Sequence, residues 1–291
     1  LDTKKKWGIK KFDAVIGNPP YNAHGNTGTG NTIWQYFVKN SLNEWIKEEG
    51  YLIFVHPPNW RKPCNERSQL NKLFKLLVRK NYMMNVSMHD LKDGLKMFRC
   101  GTKYDWYTVK KTKPDGNVTM IEDVDKRICN ICLGNMEWVP NKNILELSKI
   151  ISYNKDDNLH VIMDSSYHAI RDYVSDRKTT KFKYPLVHST PKSGIVYKYS
   201  SINDKGHFGI SKIIFGETGI NNVIMDVNGE FGMTQGAIGI RIYDYDEGVN
   251  IKMALETEKF KNILKSCMWG NYRIEWILFT YIRRDFYKEF I

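Results

Sequence analysis

The chain has 291 residues and is strongly basic, with 44 lysines and arginines against 32 aspartates and glutamates and a net charge of +12. A hydrophobic content of 42% supports a packed core in one large or two ordinary domains. The sequence contains no run of 18 apolar residues, so it predicts no membrane span. The excess of positive charge indicates a polyanionic partner, which is most often nucleic acid.

The first predicted element is a buried strand at Phe12–Gly17, which ends at Asn18, Pro19, Pro20 and Tyr21. Two successive prolines cannot continue a sheet ladder or easily enter a helix, so the backbone there is stiff and extended. This backbone holds the Asn18 amide, the Pro19 carbonyl and the Tyr21 ring in one small space. Both oxygens can accept hydrogen bonds from a single exocyclic amine while Tyr21 stacks on the ring that bears it. Such a site makes the amine nitrogen more nucleophilic.

The next elements alternate between helix and strand. Residues 22–32 are polar and rich in glycine, and they predict a flexible flap beside the prolines. Residues 33–48 have helical spacing, residues 50–56 predict a strand that also ends in prolines, and residues 66–80 predict an amphipathic helix. This alternation predicts an α/β fold with a parallel sheet covered by helices. Ligands bind such sheets beyond the carboxyl ends of the strands, where Asn18 lies.

Further strands are predicted at 83–88 and 104–110, and a turn at 112–116 predicts a domain boundary. The two domains would then be residues 1–115 and residues 116–291. In the second, short apolar segments broken by glycine and asparagine predict a mixed α+β domain.

The run Asp-Ala-Val-Ile-Gly-Asn-Pro-Pro-Tyr-Asn at 13–22 resembles the amino-methyltransferases that use S-adenosylmethionine. It looks most like the adenine-N6 DNA methyltransferases of restriction–modification systems. The resemblance implies that residues 1–115 are the C-terminal portion of a doubly wound, Rossmann-like methyltransferase sheet. Residues 116–291 would then be a target-recognition domain that binds double-stranded DNA. It also implies that the target adenine is flipped out of the duplex. The catalytic residues implied are Asn18, Pro19, Pro20 and Tyr21.

The same resemblance implies two further substrate contacts in the first domain. In that family, a phenylalanine in a loop before a strand that ends in lysine covers the second face of the target base. Phe98 occupies the matching position, and a core position is the alternative interpretation. Lys103 follows in the same segment and is a candidate for a phosphate contact, with a solvated surface lysine as the alternative.

A basic stretch in the second domain is the candidate DNA-contacting segment. Residues 171–212 contain nine basic and three acidic side chains, and residues 177–184 interleave cations with aromatics. Cations contact phosphates, and aromatics can stack on or wedge into a distorted duplex. The candidate contacts are Lys178, Lys181 and Lys183. The alternative is an ordinary basic surface loop.

A site for the methyl donor is not found in the sequence. The resembled family holds S-adenosylmethionine with a glycine-rich loop after one strand and an acidic residue after the next. Phe215–Gly219 resembles the loop, but too few residues separate it from the strand at 223–226 to build a βαβ unit. We therefore expect the donor site upstream of Leu1, in a longer chain or a partner subunit, and we expect this chain to be inactive without it.

Three alternatives remain open at this stage. A methyltransferase acting on a protein glutamine shares the Asn-Pro-Pro-Tyr motif, because an amide also presents an NH2 group. A non-catalytic DNA-binding subunit or degenerate enzyme would keep the pocket without a donor site. A nuclease fused upstream is the third alternative, since some restriction enzymes join both activities. The five cysteines show no framework spacing and predict a reducing compartment such as the cytoplasm. The pair Cys129 and Cys132 lacks further ligands at matching spacing, so no metal site is predicted.

Overall fold

The computed structural model describes residues 6, 8, 10–23, 32–270 and 273–291. The chain divides into two compact units, Leu1–Lys142 and Asn143–Ile291. The predicted boundary lies at residue 115, inside the first unit. The difference arises because the two strands that follow the turn at 112–116 extend the first sheet. Among the described residues, no helix has the length and apolarity that a bilayer crossing requires.

The first unit is built on one six-stranded sheet with helices between its early strands. Its described strands are β1 (Phe12–Gly17), β2 (Ile46–His56), β3 (Tyr82–His89), β4 (Tyr104–Lys110), β5 (Thr119–Glu122) and β6 (Ile128–Ile131), and its described helices are α1 (Trp34–Asn40), α2 (Gln69–Val78) and α3 (Leu91–Phe98).

The sheet has the order β1-β2-β4-β3-β5-β6 and is mixed rather than wholly parallel. Strands β1, β2, β3 and β5 run in one direction, and β4 runs antiparallel to both of its neighbours. The reason is the short connection after β3. Helix α3 has eight residues, about 12 Å, and the loop after it returns the chain to the edge where β3 ended. Tyr104 therefore pairs with His89, and β4 runs back along the sheet.

The helix predicted over 33–48 is shorter in the structure. Helix α1 ends at Asn40, one π-type turn follows at Ser41–Trp45, and β2 begins at Ile46. Strand β2 is irregular at its start, where it passes β1 closely: a Cβ on Gly50 would lie 2.7 Å from the Asp13 carbonyl oxygen. Only glycine permits this close approach, so Gly50 allows β2 to pair with β1. Gly50 lies within β2 and does not end a helix.

The second unit contains two four-stranded sheets, in the orders β13-β9-β10-β8 and β12-β11-β14-β7. Buried side chains from both sheets, Val187, Ile214, Met233 and Ala237, form a shared core cluster. The mixed α/β fold class is therefore confirmed. The described elements are α4 (Ile144–Ser148), β7 (Val161–Ile162), β8 (Val174–Ser175), β9 (Tyr184–Ser189), β10 (Val196–Ser200), β11 (Lys212–Gly216), β12 (Gly219–Asp226), β13 (Gly232–Met233), β14 (Ala237–Arg241), α5 (Tyr245–Glu256) and α6 (Glu258–Ser266).

Candidate active site

One edge of the first sheet gathers the candidate site. The parallel strands β1, β2 and β3 end at this edge, and the antiparallel strand β4 begins there. The strand direction therefore brings together segments that are far apart in sequence: Asn18–Tyr21 after β1, Pro57–Asn59 after β2, and Phe98–Tyr104 at the start of β4. Ligand sites of open α/β sheets form at such edges.

The diproline segment lies at the protein surface with its tyrosine turned inward. Asn18 and Pro20 are exposed, Pro19 is buried and Tyr21 is half-buried. The Tyr21 carbonyl accepts a hydrogen bond from the Ile33 amide at 3.0 Å, so the chain returns to this segment after the loop. The predicted flap at 22–32 lies largely outside the described residues, since 24–31 are not among them.

A cavity of about 350 Å³ adjoins Tyr21. The Tyr21 hydroxyl is buried and has no hydrogen-bond partner within the described part of the chain. Burial, and secondarily the nearby Tyr104, raises the pKa of this hydroxyl, so at neutral pH it keeps its proton and can donate to a ligand. The other lining residues are mostly polar or aromatic: Asn22, Thr32, Trp34, Gln35, Pro57, Asn59, Leu70 and Thr102.

Phe98 belongs to a group of aromatic rings where β3 ends and β4 begins. The Phe98 ring meets the Tyr104 ring edge-on at 4.9 Å between centroids, and Tyr104 stacks on His89 at 4.4 Å. Phe98 is the last residue of α3 rather than part of a loop, and it remains 37% exposed, so it is not a core residue. Sequence reasoning missed Tyr104, although its place as the first residue of the strand after Phe98 was a usable signal.

Lys103 is partly buried instead of fully solvated. Burial lowers the pKa of its ammonium group, the Arg61 guanidinium lowers it further, and Asp90 opposes both effects. The side chain therefore lies among other charges at the site edge. Its predicted phosphate contact stays a prediction.

His56, at the end of β2, has a structural role. It is completely buried, stacks on Trp34 at 4.0 Å and contacts the Tyr107 hydroxyl with Nε2 at 2.7 Å. Its Nδ1 lies 3.0 Å from the Pro57 carbonyl, which can only accept, so Nδ1 carries the proton and Nε2 accepts from Tyr107. Burial lowers the His56 pKa to about 4. The ring is thus neutral at physiological pH and holds the first proline after β2 in place.

A buried ion pair fixes the wall of the cavity directly after Asn59. Arg61 and Asp105 are 1% and 0% exposed, and they form two hydrogen bonds of 2.7 and 2.9 Å. Asp105 also accepts from the Trp60 indole at 2.8 Å, and Arg61 also donates to the Val139 and Pro140 carbonyls. The pair therefore connects the end of β2, the start of β4 and the segment after β6.

The predicted DNA contacts of the second unit lie together in one segment. Lys178, Lys181 and Lys183 are all exposed in the connection between β8 and β9. The ammonium groups of the last two lie over the rings of Phe182 and Tyr184, at 5.3 and 5.1 Å from the ring centroids. Cations and aromatics are thus neighbours in space, as the alternating sequence suggests.

The residues present do not fit S-adenosylmethionine at the glycine-rich candidate. Phe215–Gly219 forms the tip of an antiparallel hairpin in which Gly216 pairs with Gly219. A hairpin tip is followed by a returning strand and not by a helix, so this segment cannot supply a donor-binding loop. This hairpin confirms the sequence-based argument that Phe215–Gly219 is not a donor-binding loop.

The first third of the chain matches a known family model. Residues 2–98 match the model of Eco57I restriction-modification methylase. An uncharacterized adenine-specific methylase of Mycoplasma pneumoniae is 29% identical over 151 residues, which cover 47% of this chain and 35% of that protein. The chain therefore spans about a third of the length of this curated relative.

Solved restriction–modification enzymes align with the chain at low similarity. The type IIL enzyme MmeI, solved in complex with DNA, aligns over 91% of this chain and 45% of its own, with 8% identity and a TM-score of 0.42. The EcoKI M protein aligns over 41% of this chain and 26% of its own, with 17% identity and a TM-score of 0.32. The match of residues 2–98 and the Mycoplasma relative confirm the resemblance seen in the sequence: this chain is similar to the adenine-specific methylases of restriction–modification systems.

Proposed function

We propose that this chain contains the catalytic motif and the recognition portion of a site-specific DNA adenine-N6 methyltransferase. The observation that supports this most directly is the exposed Asn18, followed by Tyr21 at the border of a cavity of about 350 Å³. These positions support access of a planar molecule bearing an amine to the motif. The chain would use S-adenosylmethionine as donor and act within a restriction–modification system.

The residues of this edge would hold the amine of a flipped adenine. The Asn18 side-chain oxygen and the Pro19 carbonyl accept from its NH2 group, and the Tyr21 ring stacks on one face. Stacking one base on an aromatic contributes about 1–3 kcal/mol, which is comparable to the few kcal/mol that extrusion of the base costs. Phe98, which stays exposed at the end of α3, is the proposed cover for the second face.

Methyl incorporation into duplex DNA tests the proposal. We expect labelled methyl groups to enter a duplex that contains adenine, once the donor-binding segment is present, and to be found on N6. Incorporation into a protein glutamine instead, with none in DNA, would favour the alternative methyltransferase and contradict the proposal.

We further propose that a donor-binding segment pairs with β1. Within the described residues β1 pairs with β2 on one side, and its other edge is open. Ile16 on this strand is 73% exposed and Ala14 is exposed as well. An apolar strand with an open edge is a template for pairing with another strand. Residues 12–17, which the sequence predicts to be a buried strand, would then be buried in a protein that includes this segment.

The isolated chain is expected to bind S-adenosylmethionine weakly. Because the glycine-rich candidate Phe215–Gly219 is a hairpin tip and the donor site is proposed to lie in another segment, calorimetric titration up to about 1 mM should give no saturable heat. This result corresponds to a binding free energy weaker than about −4 kcal/mol. A longer protein that includes the β1-pairing segment serves as control and should bind with one-to-one stoichiometry. Micromolar, stoichiometric binding by the 291 residues alone would contradict this division of labour.

The three lysines between β8 and β9 are proposed to contact duplex phosphates. We expect replacement of Lys178, Lys181 and Lys183 by glutamine to weaken binding to any duplex sequence. The slope of log K against log salt should decrease by about 0.9 for each phosphate that the variant no longer neutralises. Fluorescence anisotropy at several salt concentrations measures both quantities.

The control for this triple variant removes the same charge elsewhere in the second unit. Glutamine at Lys149, Lys252 and Lys288 should leave the slope within a few tenths of wild type. Equal effects of the two triple variants would show that only net charge matters. This result would contradict the proposal that the segment between β8 and β9 contacts DNA phosphates.

A further inference from the structure

A second cavity lies in the second unit. None of the residues that line it belongs to the segment between β8 and β9. It has a volume of about 250 Å³ and lies between one face of α6 and the start of β12. Apolar side chains line part of it, and Ile220, Leu264 and Ile274 remain only 4–6% exposed there. The cavity is smaller than the roughly 300–1,000 Å³ typical of pockets for drug-sized ligands. It therefore suits a small group or one unit of a polymer.

The charge around this cavity is positive. In the part of the chain that the structure describes, the lining includes Lys192, Lys261 and Lys265 against one carboxylate, Glu258. Glu258 pairs with Lys261 at 3.3 Å, whereas Lys265 donates to the neutral amide of Asn262 at 3.1 Å. The three lysines and one glutamate therefore leave an excess of two positive charges around one small concave surface.

The lysines reach the cavity from separate parts of the chain. Lys192 follows β9, whereas Lys261 and Lys265 lie one turn apart on α6 and so share a helix face. Asn221 and Thr218, from the β11–β12 hairpin, add neutral polar groups to the same lining. Converging ammonium groups with neutral donors beside them match the requirements of a phosphate.

We propose that this cavity holds one phosphodiester of a DNA strand, with the lysines at the phosphate and the apolar wall against the adjoining sugar. The proposal rests on the proposed function, because it assigns a DNA contact to the unit that would recognise the target. It adds a site separate from Lys178, Lys181 and Lys183. Each ammonium group that neutralises a phosphate releases condensed counterions, so the site would contribute to the salt dependence of binding.

Lysine acetylation of the unmodified protein tests the site directly. Lys261 and Lys265 are accessible in the free protein and should react with an acetylating reagent, whereas saturating duplex should reduce their modification several-fold, as read by mass spectrometry. Lys149 and Lys288 are exposed lysines remote in sequence from the cavity and should react equally with and without DNA. Unchanged modification of Lys261 and Lys265 in the DNA complex would overturn the proposal. Protection by polyglutamate at equal charge concentration would overturn it too, in favour of an acidic protein partner.

A double variant gives the quantitative test. Lys261→Gln with Lys265→Gln should lower the salt slope by about 1–2, and the charge-matched Lys149→Gln with Lys288→Gln should not. All four side chains lie at the surface, so folding is retained and is checked by thermal unfolding. A wild-type slope in the cavity variant, while the Lys178, Lys181 and Lys183 variant behaves as expected, would overturn the cavity assignment alone. Absence of salt-dependent duplex binding by wild type would overturn the proposed function, and the cavity assignment with it.

Discussion

Replacement of Asn18 by alanine is expected to reduce methyl transfer to duplex adenine by at least about 10²-fold while DNA affinity stays within about twofold. Removal of one preorganised hydrogen-bonding group from a reacting centre typically costs about 10²–10³ in kcat. Asn18 is exposed beyond the end of β1, so its loss leaves no buried polar group without a partner. Its amide is proposed to act on the amine of the base and not on phosphates, and binding should therefore persist.

The measurement combines two assays on the same variant. Transfer of labelled methyl groups is measured in a longer protein that includes the proposed donor-binding segment. Duplex affinity is measured by anisotropy on the 291-residue chain. Asn43→Ala removes another exposed amide from the first unit and is the matched control; it should leave both values unchanged. Full transfer activity in Asn18→Ala, or loss of DNA binding with transfer preserved, would reverse the assignment of the diproline segment.

Arg61→Met is expected to lower the free energy of unfolding of the first unit by about 3–5 kcal/mol. The substitution leaves the Asp105 carboxylate fully buried without its guanidinium, and an uncompensated buried charge costs that much. It also removes the donors for the Val139 and Pro140 carbonyls. The same residues position the wall after Asn59, so the variant should lose the cavity together with stability.

Urea unfolding followed by tryptophan fluorescence measures this effect. The double variant Arg61→Met with Asp105→Leu should be less destabilised than Arg61→Met alone, because it no longer buries a single charge. Lys142→Ala breaks a more exposed pair with Asp125, 2.9 Å long, and should cost about 0–1 kcal/mol. A loss below about 1.5 kcal/mol in Arg61→Met would show that water or another cation compensates Asp105.

Local patterns in the sequence predicted most strands of the first sheet. The strands predicted at 12–17, 50–56, 83–88 and 104–110 all fall within strands of the structure. They were predictable because strands favour aromatic and β-branched residues, and because prolines or turn residues end them. The boundaries between elements were less predictable. The helical spacing of apolar residues continues past Asn40. Only the pairing of Ile46 and Tyr51 with β1 shows where β2 begins.

The sequence by itself determined the chemistry of the candidate site. Asn18, the two prolines and Tyr21 are contiguous, so their stiffness and their donor and acceptor groups follow from covalent structure and local sterics. The rejection of Phe215–Gly219 as a donor loop needed only the length of the intervening chain. These inferences depend on groups a few residues apart, whose separation the backbone fixes.

Only the tertiary structure decided what surrounds those groups. The ion pair of Arg61 with Asp105 and the placement of Tyr104 between Phe98 and His89 arise from strand order. The edge of β1 that no described residue pairs with arises from strand order as well. Strand order is set by the packing of segments that lie tens of residues apart, and no local pattern encodes it. The lysines at the cavity beside α6 likewise come from separate elements, so their convergence became visible only in the folded chain.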